Sequence, residues 1–238
     1  MEKKLRILIT GASRGIGYAT AAKLCARSQK LFVTAKHSST IEKAVQSLRS
    51  LCSGEICFFN FDQADSKLSS EKLKDWINKK TDYLDAIILC AGDYVEGKIQ
   101  NINDSDFINN MNTNFYFNYY AVNALIPLLK NSKNPRIIII GSTAAYGAYS
   151  VPTYSVTKWA LRGYAKNLRK ELIDDGIGVT FISPGGTLTD MWEGVELPPN
   201  RLLEPCDIAK VVDIIFDLSP QAVVDEIIIK PILGDVDE

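Results

Sequence analysis

A chain of 238 residues, 46% of them hydrophobic, is long enough to close a full core as one α/β unit. Its 27 basic and 28 acidic residues leave a formal charge of -1, so nothing draws the protein as a whole to nucleic acid or an anionic membrane, and small molecules are the expected partners. The single histidine, His37, rules out a multi-histidine metal centre, and no apolar run approaches the length that crosses a bilayer, so neither a metal site nor a membrane span is expected.

The chain opens on a predicted strand at 5–10, and the residues before it are too few for a targeting segment; a cytoplasmic protein is expected. Residues 10–17, TGASRGIG, follow this strand directly and run into a predicted helix at 16–28. Glycines at 11, 15 and 17 let backbone N–H groups approach a pyrophosphate, and a helix start aims about half a positive charge at it. Thr10 and Ser13 are expected to supply polar anchors in the same turn. The position of the turn between strand and helix, more than the glycines alone, marks a nucleotide site.

The second predicted strand, 31–35, leads into Lys36, His37, Ser38 and Ser39. About 20 residues after the glycine turn, folds that bind NAD place an acid on the ribose 2′-hydroxyl. Here the nearest downstream acid, Glu42, falls inside the next predicted helix. Lys36 offers a cation instead and Arg14 offers a second, so a 2′-phosphate has two partners and NADP(H) is favoured over NAD(H). Five cysteines, at 25, 52, 57, 90 and 206, are odd in number and form no CxxC pair, which fits reduced, buried thiols better than a disulfide frame or a zinc site.

Further strands are predicted at 56–60, 85–90, 136–141, 179–183 and 226–230, with amphipathic stretches between them. Near-continuous apolar strands separated by helices predict a parallel sheet covered on both faces: a Rossmann-type, doubly wound α/β fold of about seven strands, as one domain over 1–238. Within 104–130, read as one helix, Phe115, Tyr116, Phe117, Tyr119 and Tyr120 face too many directions for a single stripe. Either the helix is buried all round or part of it meets a neighbouring subunit.

A YxxxK pattern occurs twice. Tyr94/Lys98 falls in a glycine-containing loop without a suggestive polar partner and reads as an accident. Tyr154/Lys158 opens a predicted helix at 153–172, where i and i+4 share a face, and Ser142 stands just past the strand 136–141. Strand ends and helix starts converge at the carboxyl edge of such a sheet, where ligands bind. A free phenol ionises near pH 10 (roughly), so a tyrosine needs a neighbouring cation to act as a base at neutral pH, and Lys158 supplies one.

With these residues in this order, the chain resembles the short-chain dehydrogenase/reductase superfamily, of its single-domain classical type, over nearly its whole length. TGASRGIG matches the family's TGxxxGxG turn, implying that Gly11, Ser13, Arg14, Gly15, Ile16 and Gly17 hold the cofactor together with Lys36. Asp62, followed by Gln63, stands where family members contact adenine, and Cys90-Ala91-Gly92 stands where they carry Asn-Ala-Gly. Asn114 matches the helix asparagine that completes a tetrad with Ser142, Tyr154 and Lys158. Pro184-Gly185, Thr187 and Thr189 match the loop beside the nicotinamide, and 186–204, with Trp192, Val195 and Leu197, matches the substrate lid, whose walls suit an apolar or aromatic carbonyl.

The resemblance implies NADP(H)-dependent reduction of a ketone or aldehyde, or oxidation of the alcohol, with Tyr154 as general acid/base. Ser142 would position the oxygen, Lys158 would tune Tyr154 and bind the ribose hydroxyls, and Asn114 would support Lys158 through water. A homodimer or homotetramer is implied. The alternative is a cofactor-binding regulator or scaffold with little turnover. A serine hydrolase is excluded, because Gly141-Ser142-Thr143 lacks the GxSxG elbow and His37 precedes the serine. Two features depart from the family: Cys90 in place of asparagine, and a tail ending DEIIIKPILGDVDE.

Overall fold

The computed structural model describes residues 4–63, 65–147 and 151–236. Seven strands, β1 (Leu5–Thr10), β2 (Ser28–Ala35), β3 (Glu55–Asn60), β4 (Ala86–Leu89), β5 (Arg136–Ile140), β6 (Gly178–Pro184) and β7 (Glu226–Ile229), form one parallel sheet in the order β3-β2-β1-β4-β5-β6-β7. The order reverses between β1 and β4, so a crevice opens there at the carboxyl edge. Alternate residues serve opposite faces: Leu8, Phe32, Ile87 and Ile139 enter one core, while Ile9, Val33, Ile88 and Ile138 enter the other. Burial on both sides is why these strands read as unbroken apolar runs.

Helices α3 (Ser66–Asn78), α5 (Phe117–Lys130) and α6 (Pro152–Glu171) close the first face with Leu73, Leu125 and Leu161. Helices α1 (Gly15–Leu24), α2 (Ser38–Leu48) and α7 (Pro205–Ile215) close the second with Leu24, Ile41 and Val212. All seven strands lie where the apolar runs predicted them. The helix predicted at 16–28 stops at Leu24, because a 3-10 turn at Cys25–Arg27 reverses the chain and Ser28 already belongs to β2; its hydroxyl donates to the Leu24 carbonyl at 2.8 Å.

The single helix predicted over 104–130 is two. Helix α4 (Asp104–Met111) passes through a π-helical turn at Asn112–Tyr116 into α5. Phe117 is fully buried against Phe61, with ring centroids 5.4 Å apart, whereas Tyr116 and Tyr119 are exposed, so the all-round-buried reading does not hold.

The reading of five reduced, buried thiols is also corrected. Cys25 and Cys52 form a disulfide with Cα atoms 4.5 Å apart, and Cys206 is exposed. The end of α1 and the turn after α2 meet beneath β2 and β3, where a Cβ at Gly54 would collide with the Ser28 carbonyl. Pairing across 27 residues leaves no local spacing to recognise. Thiol titration in denaturant should count the three unpaired cysteines before reduction and all five after it. Reduction should also lower the unfolding free energy by about 3–4 kcal/mol, the chain-entropy value for a loop of this length; five reactive thiols in unreduced protein would contradict the bridge.

Candidate active site

The turn after β1 is tight for reasons of packing as much as ligand access. Gly11 has φ +65°, and a Cβ there would sit 2.8 Å from Ala91 Cα, while one at Gly17 would collide with the Gly11 carbonyl. The turn is thus pressed against the end of β4 and delivers the first turn of α1 to the crevice. That helix start carries no side-chain cap and no acid in its first turn, so its N–H groups remain available to an anion.

Thr10 plays a different part from the one expected. It is fully buried, and its hydroxyl accepts from the amides of Cys90 and Ala91 at 3.2 and 3.3 Å, fastening β1 to the end of β4. The segment with Cys90 in place of asparagine is therefore held through its backbone. Burial pushes the Cys90 thiol up to about 12 against the pull of the Lys158 ammonium, so it is a protonated wall atom at neutral pH.

A cavity of about 620 Å³ runs along the carboxyl edge from Lys36 to Val195. It is lined by Gly11, Ser13, Arg14, Gly15, Ile16, Gly17, Lys36, Asp62, Gln63, Cys90, Ala91, Gly92, Ser142, Tyr154, Pro184, Gly185, Thr187 and Thr189. Of the residues singled out from sequence, Asn114 and Lys158 stand behind this wall. Asn114 is fully buried; its Oδ1 accepts from the Asp93 amide at 2.8 Å and its Nδ2 faces the Asp93 carbonyl at 2.7 Å and Thr157 Oγ1 at 3.0 Å. Lys158 is buried too, with Nζ 3.3 Å from the Ile140 carbonyl oxygen, to which it donates, and 5.2 Å from the centroid of the Tyr154 ring. Ser142 accepts from the Ala144 amide at 3.1 Å, an arrangement that orients its oxygen at the end of β5.

The two cations in the cofactor half are paired. Arg14 bonds Asp190 at 2.8 Å and Lys36 bonds Asp62 at 3.1 Å, and all four side chains are at least half exposed. An acid thus reaches Lys36 from beyond β3, which the spacing after β2 did not reveal. Lining residues that the sequence left unmarked include Asp93, Glu96 and Thr113 on the loop and helix after β4, Thr40 in α2, Val151 before α6 and Asp190, and Tyr94 joins them at the wall. The Tyr94 hydroxyl lies 3.3 Å from Glu96 Oε1 and 3.4 Å from the Met191 carbonyl. Burial and Glu96 hold this phenol above its ordinary range, the wrong direction for a base, and Lys98 is not among the lining residues. The second YxxxK match therefore carries a wall tyrosine.

The short chain dehydrogenase family matches residues 5–199. The chain belongs to that family. Among its relatives is the sepiapterin reductase of Chlorobaculum tepidum, 26% identical over 98% of each chain. A 3-oxoacyl-acyl-carrier-protein reductase of Buchnera aphidicola is 31% identical over 78% of this chain and 74% of its own. The fold superposes with a TM-score of 0.87 on a short chain dehydrogenase from Burkholderia cenocepacia in complex with NADP, at 24% identity and with 97% and 98% of the two chains covered. The protein is accordingly an NAD(P)-dependent oxidoreductase of the short-chain type. The residues present fit the dinucleotide that this family uses: an uncapped helix start beside a glycine turn, cations at one end of the cavity and a hydroxyl, a phenol and a buried ammonium at the other.

At pH 8 iodoacetamide should label exposed Cys206 in this dehydrogenase and spare Cys90, as read by peptide mapping of the native protein. Labelling of Cys90 at a comparable rate would show a thiolate where the surroundings favour the thiol.

Proposed function

We propose that this dehydrogenase reduces a ketone or aldehyde, preferring NADPH, and runs the reverse oxidation under the opposite driving force. One observation carries the reading: Ser142 and Tyr154 face the same cavity as the glycine turn, with the Lys158 ammonium close behind the Tyr154 ring. The reduced nicotinamide, when bound, supplies hydride to the carbonyl carbon. Ser142 donates a hydrogen bond to the carbonyl oxygen and fixes its position. Tyr154 gives its phenolic proton to that oxygen as the C–H bond forms, so the product is the neutral alcohol and the tyrosine is left as phenolate. Lys158 stabilises that phenolate and keeps N–H groups for the ribose hydroxyls, while Asn114 fixes the loop and helix from which Lys158 acts.

The NADP(H) preference rests on Arg14 and Lys36. Their present partners are exposed carboxylates, and such surface pairs contribute only about 0–1 kcal/mol, so a doubly charged 2′-phosphate bound by both cations displaces them readily. Asp62, without Lys36 to neutralise it, would repel the same phosphate. The NADP in the Burkholderia relative and the sepiapterin reductase name of the Chlorobaculum relative point the same way for cofactor and reaction class. Under this reading the whole chain is one domain, 186–204 is the substrate lid with Trp192 and Val195 as apolar walls, and a homodimer or homotetramer covers Tyr116 and Tyr119. A strict monomer by light scattering at assay concentration would remove the last part.

Tyr154→Phe should keep the fold and cofactor affinity and lose at least ~100-fold in turnover, the usual cost of a missing general acid, whereas Tyr94→Phe should retain most activity. A panel of carbonyl compounds followed by NADPH absorbance is the assay, and near-normal turnover of Tyr154→Phe would refute the assignment. For the cofactor, the double variant Arg14→Ala/Lys36→Ala should weaken NADPH about tenfold or more and leave NADH within about twofold. Equal wild-type affinities, or equal losses in the variant, would exclude this pair as the phosphate site.

A further inference from the structure

The tail that departs from the family pattern folds back onto the active-site loop. After β7 the chain turns at Pro231, with the Gly234 amide donating to the Pro231 carbonyl at 3.0 Å and Gly234 at φ +80°. This turn carries Asp235 under the loop that follows β6. Asp235 is only 4% exposed, and its Oδ1 accepts from the Gly186 amide at 2.8 Å. A Cβ at Gly185 would collide with the same oxygen, so the glycine is needed for the carboxylate to reach its place. The Gly185 amide in turn donates to the Ile229 carbonyl at 2.8 Å.

A third segment closes the junction. Arg201, at the far end of the 186–204 excursion, donates to the carbonyls of Gly234 and Asp235 at 2.7 Å each. Two residues on, the Leu203 amide donates to the Gly186 carbonyl at 2.9 Å. Loop, lid base and chain terminus are thus hydrogen-bonded into one knot, and its central acceptor is a buried carboxylate. Such a charge-assisted bond is stronger than a neutral one, and removing it would leave a buried N–H without its acceptor.

We propose that Asp235 is a positioning residue for the reaction: it holds the Gly185-Gly186 backbone so that Pro184, Thr187 and Thr189 keep their places along the cavity beside the reacting end of the cofactor. This rests on the proposed carbonyl reduction, in which that loop flanks the nicotinamide. Lys36 lies at the other end of the cavity, and the glycine turn meets this loop at its outer end, through the exposed Arg14–Asp190 pair and the approach of Gly15 to Thr189, so the tail acts chiefly on the reacting half of the cofactor.

The test compares NADPH with 2′-phospho-ADP-ribose, which lacks the nicotinamide. In Asp235→Ala, with folding checked by circular dichroism and melting, NADPH affinity and kcat should each fall about tenfold or more, while the fragment should bind within about twofold of wild type. Asp235→Asn keeps an acceptor oxygen and should recover most of the loss, which a requirement for bulk alone would not explain. If Asp235→Ala does not fold, Arg201→Gln, which weakens the knot at its half-buried rim, should show the same selective pattern at smaller amplitude. Equal losses for fragment and NADPH, or no loss in either variant, would overturn the assignment while wild-type carbonyl reduction left the proposed function standing. A wild-type enzyme that reduces no carbonyl would remove both.

Discussion

The amide of Asn114 is the point on which the active-site architecture turns. A buried primary amide must satisfy its donors and its acceptor within the protein. Here it does so across three chain segments: the loop after β4 through both backbone groups of Asp93, α6 through Thr157, and its own helix, whose π-helical turn carries it. The consequence is a fixed distance between the loop and α6. A Cβ at Gly92 would lie 3.3 Å from Asn114 Oδ1 and 3.6 Å from Lys158 Nζ, so loop backbone, amide and ammonium occupy one compact block. Were this amide replaced by an apolar side chain, the Asp93 amide would lose its acceptor and the wall beside Tyr154 would lose its anchor.

Around that block the two ends of the cavity differ in kind. At the end holding Arg14 and Lys36, charge is plentiful but exposed and paired; on the proposed reading both cations leave their carboxylates for a phosphate at little cost. Around Tyr154, itself half-buried, Ser142, Lys158 and Asn114 are buried, and backbone contacts set their positions, as with Ser142 on Ala144 and Lys158 on Ile140. Under the proposed function, binding is adaptive where the cofactor is charged and rigid where the proton moves. The 3-10 turn at Asp190–Trp192 spans both regimes, tied to the glycine turn by Asp190 and approached by Tyr94 at the Met191 carbonyl.

How much of this was legible beforehand follows from the range of each interaction. Strands buried on two faces announce themselves as apolar runs such as 137–140, and the glycine turn and the Tyr154/Lys158 pair are local spacings, so fold, family and the main cavity walls could be read directly. The π-helical turn could not, because a change of hydrogen-bond register near Asn114 leaves the apolar periodicity of 104–130 almost untouched. Nor could Thr10 be told from a ligand-binding threonine, since its partners are amides 80 residues away in sequence. The pairs Lys36–Asp62, Cys25–Cys52 and Gly186–Asp235 share that property: each joins segments brought together only by the crossovers of the sheet.

The position of the Cys25–Cys52 bridge has its own consequence. It ties the end of α1 to the turn before β3, on the amino edge of a parallel sheet whose chemistry is gathered at the carboxyl edge. Opening or closing the bridge changes how often the chain unfolds far more than what it does while folded. Redox conditions would then govern how long each molecule survives, and the abundance of the enzyme could vary with them while its selectivity for cofactor and substrate stayed constant.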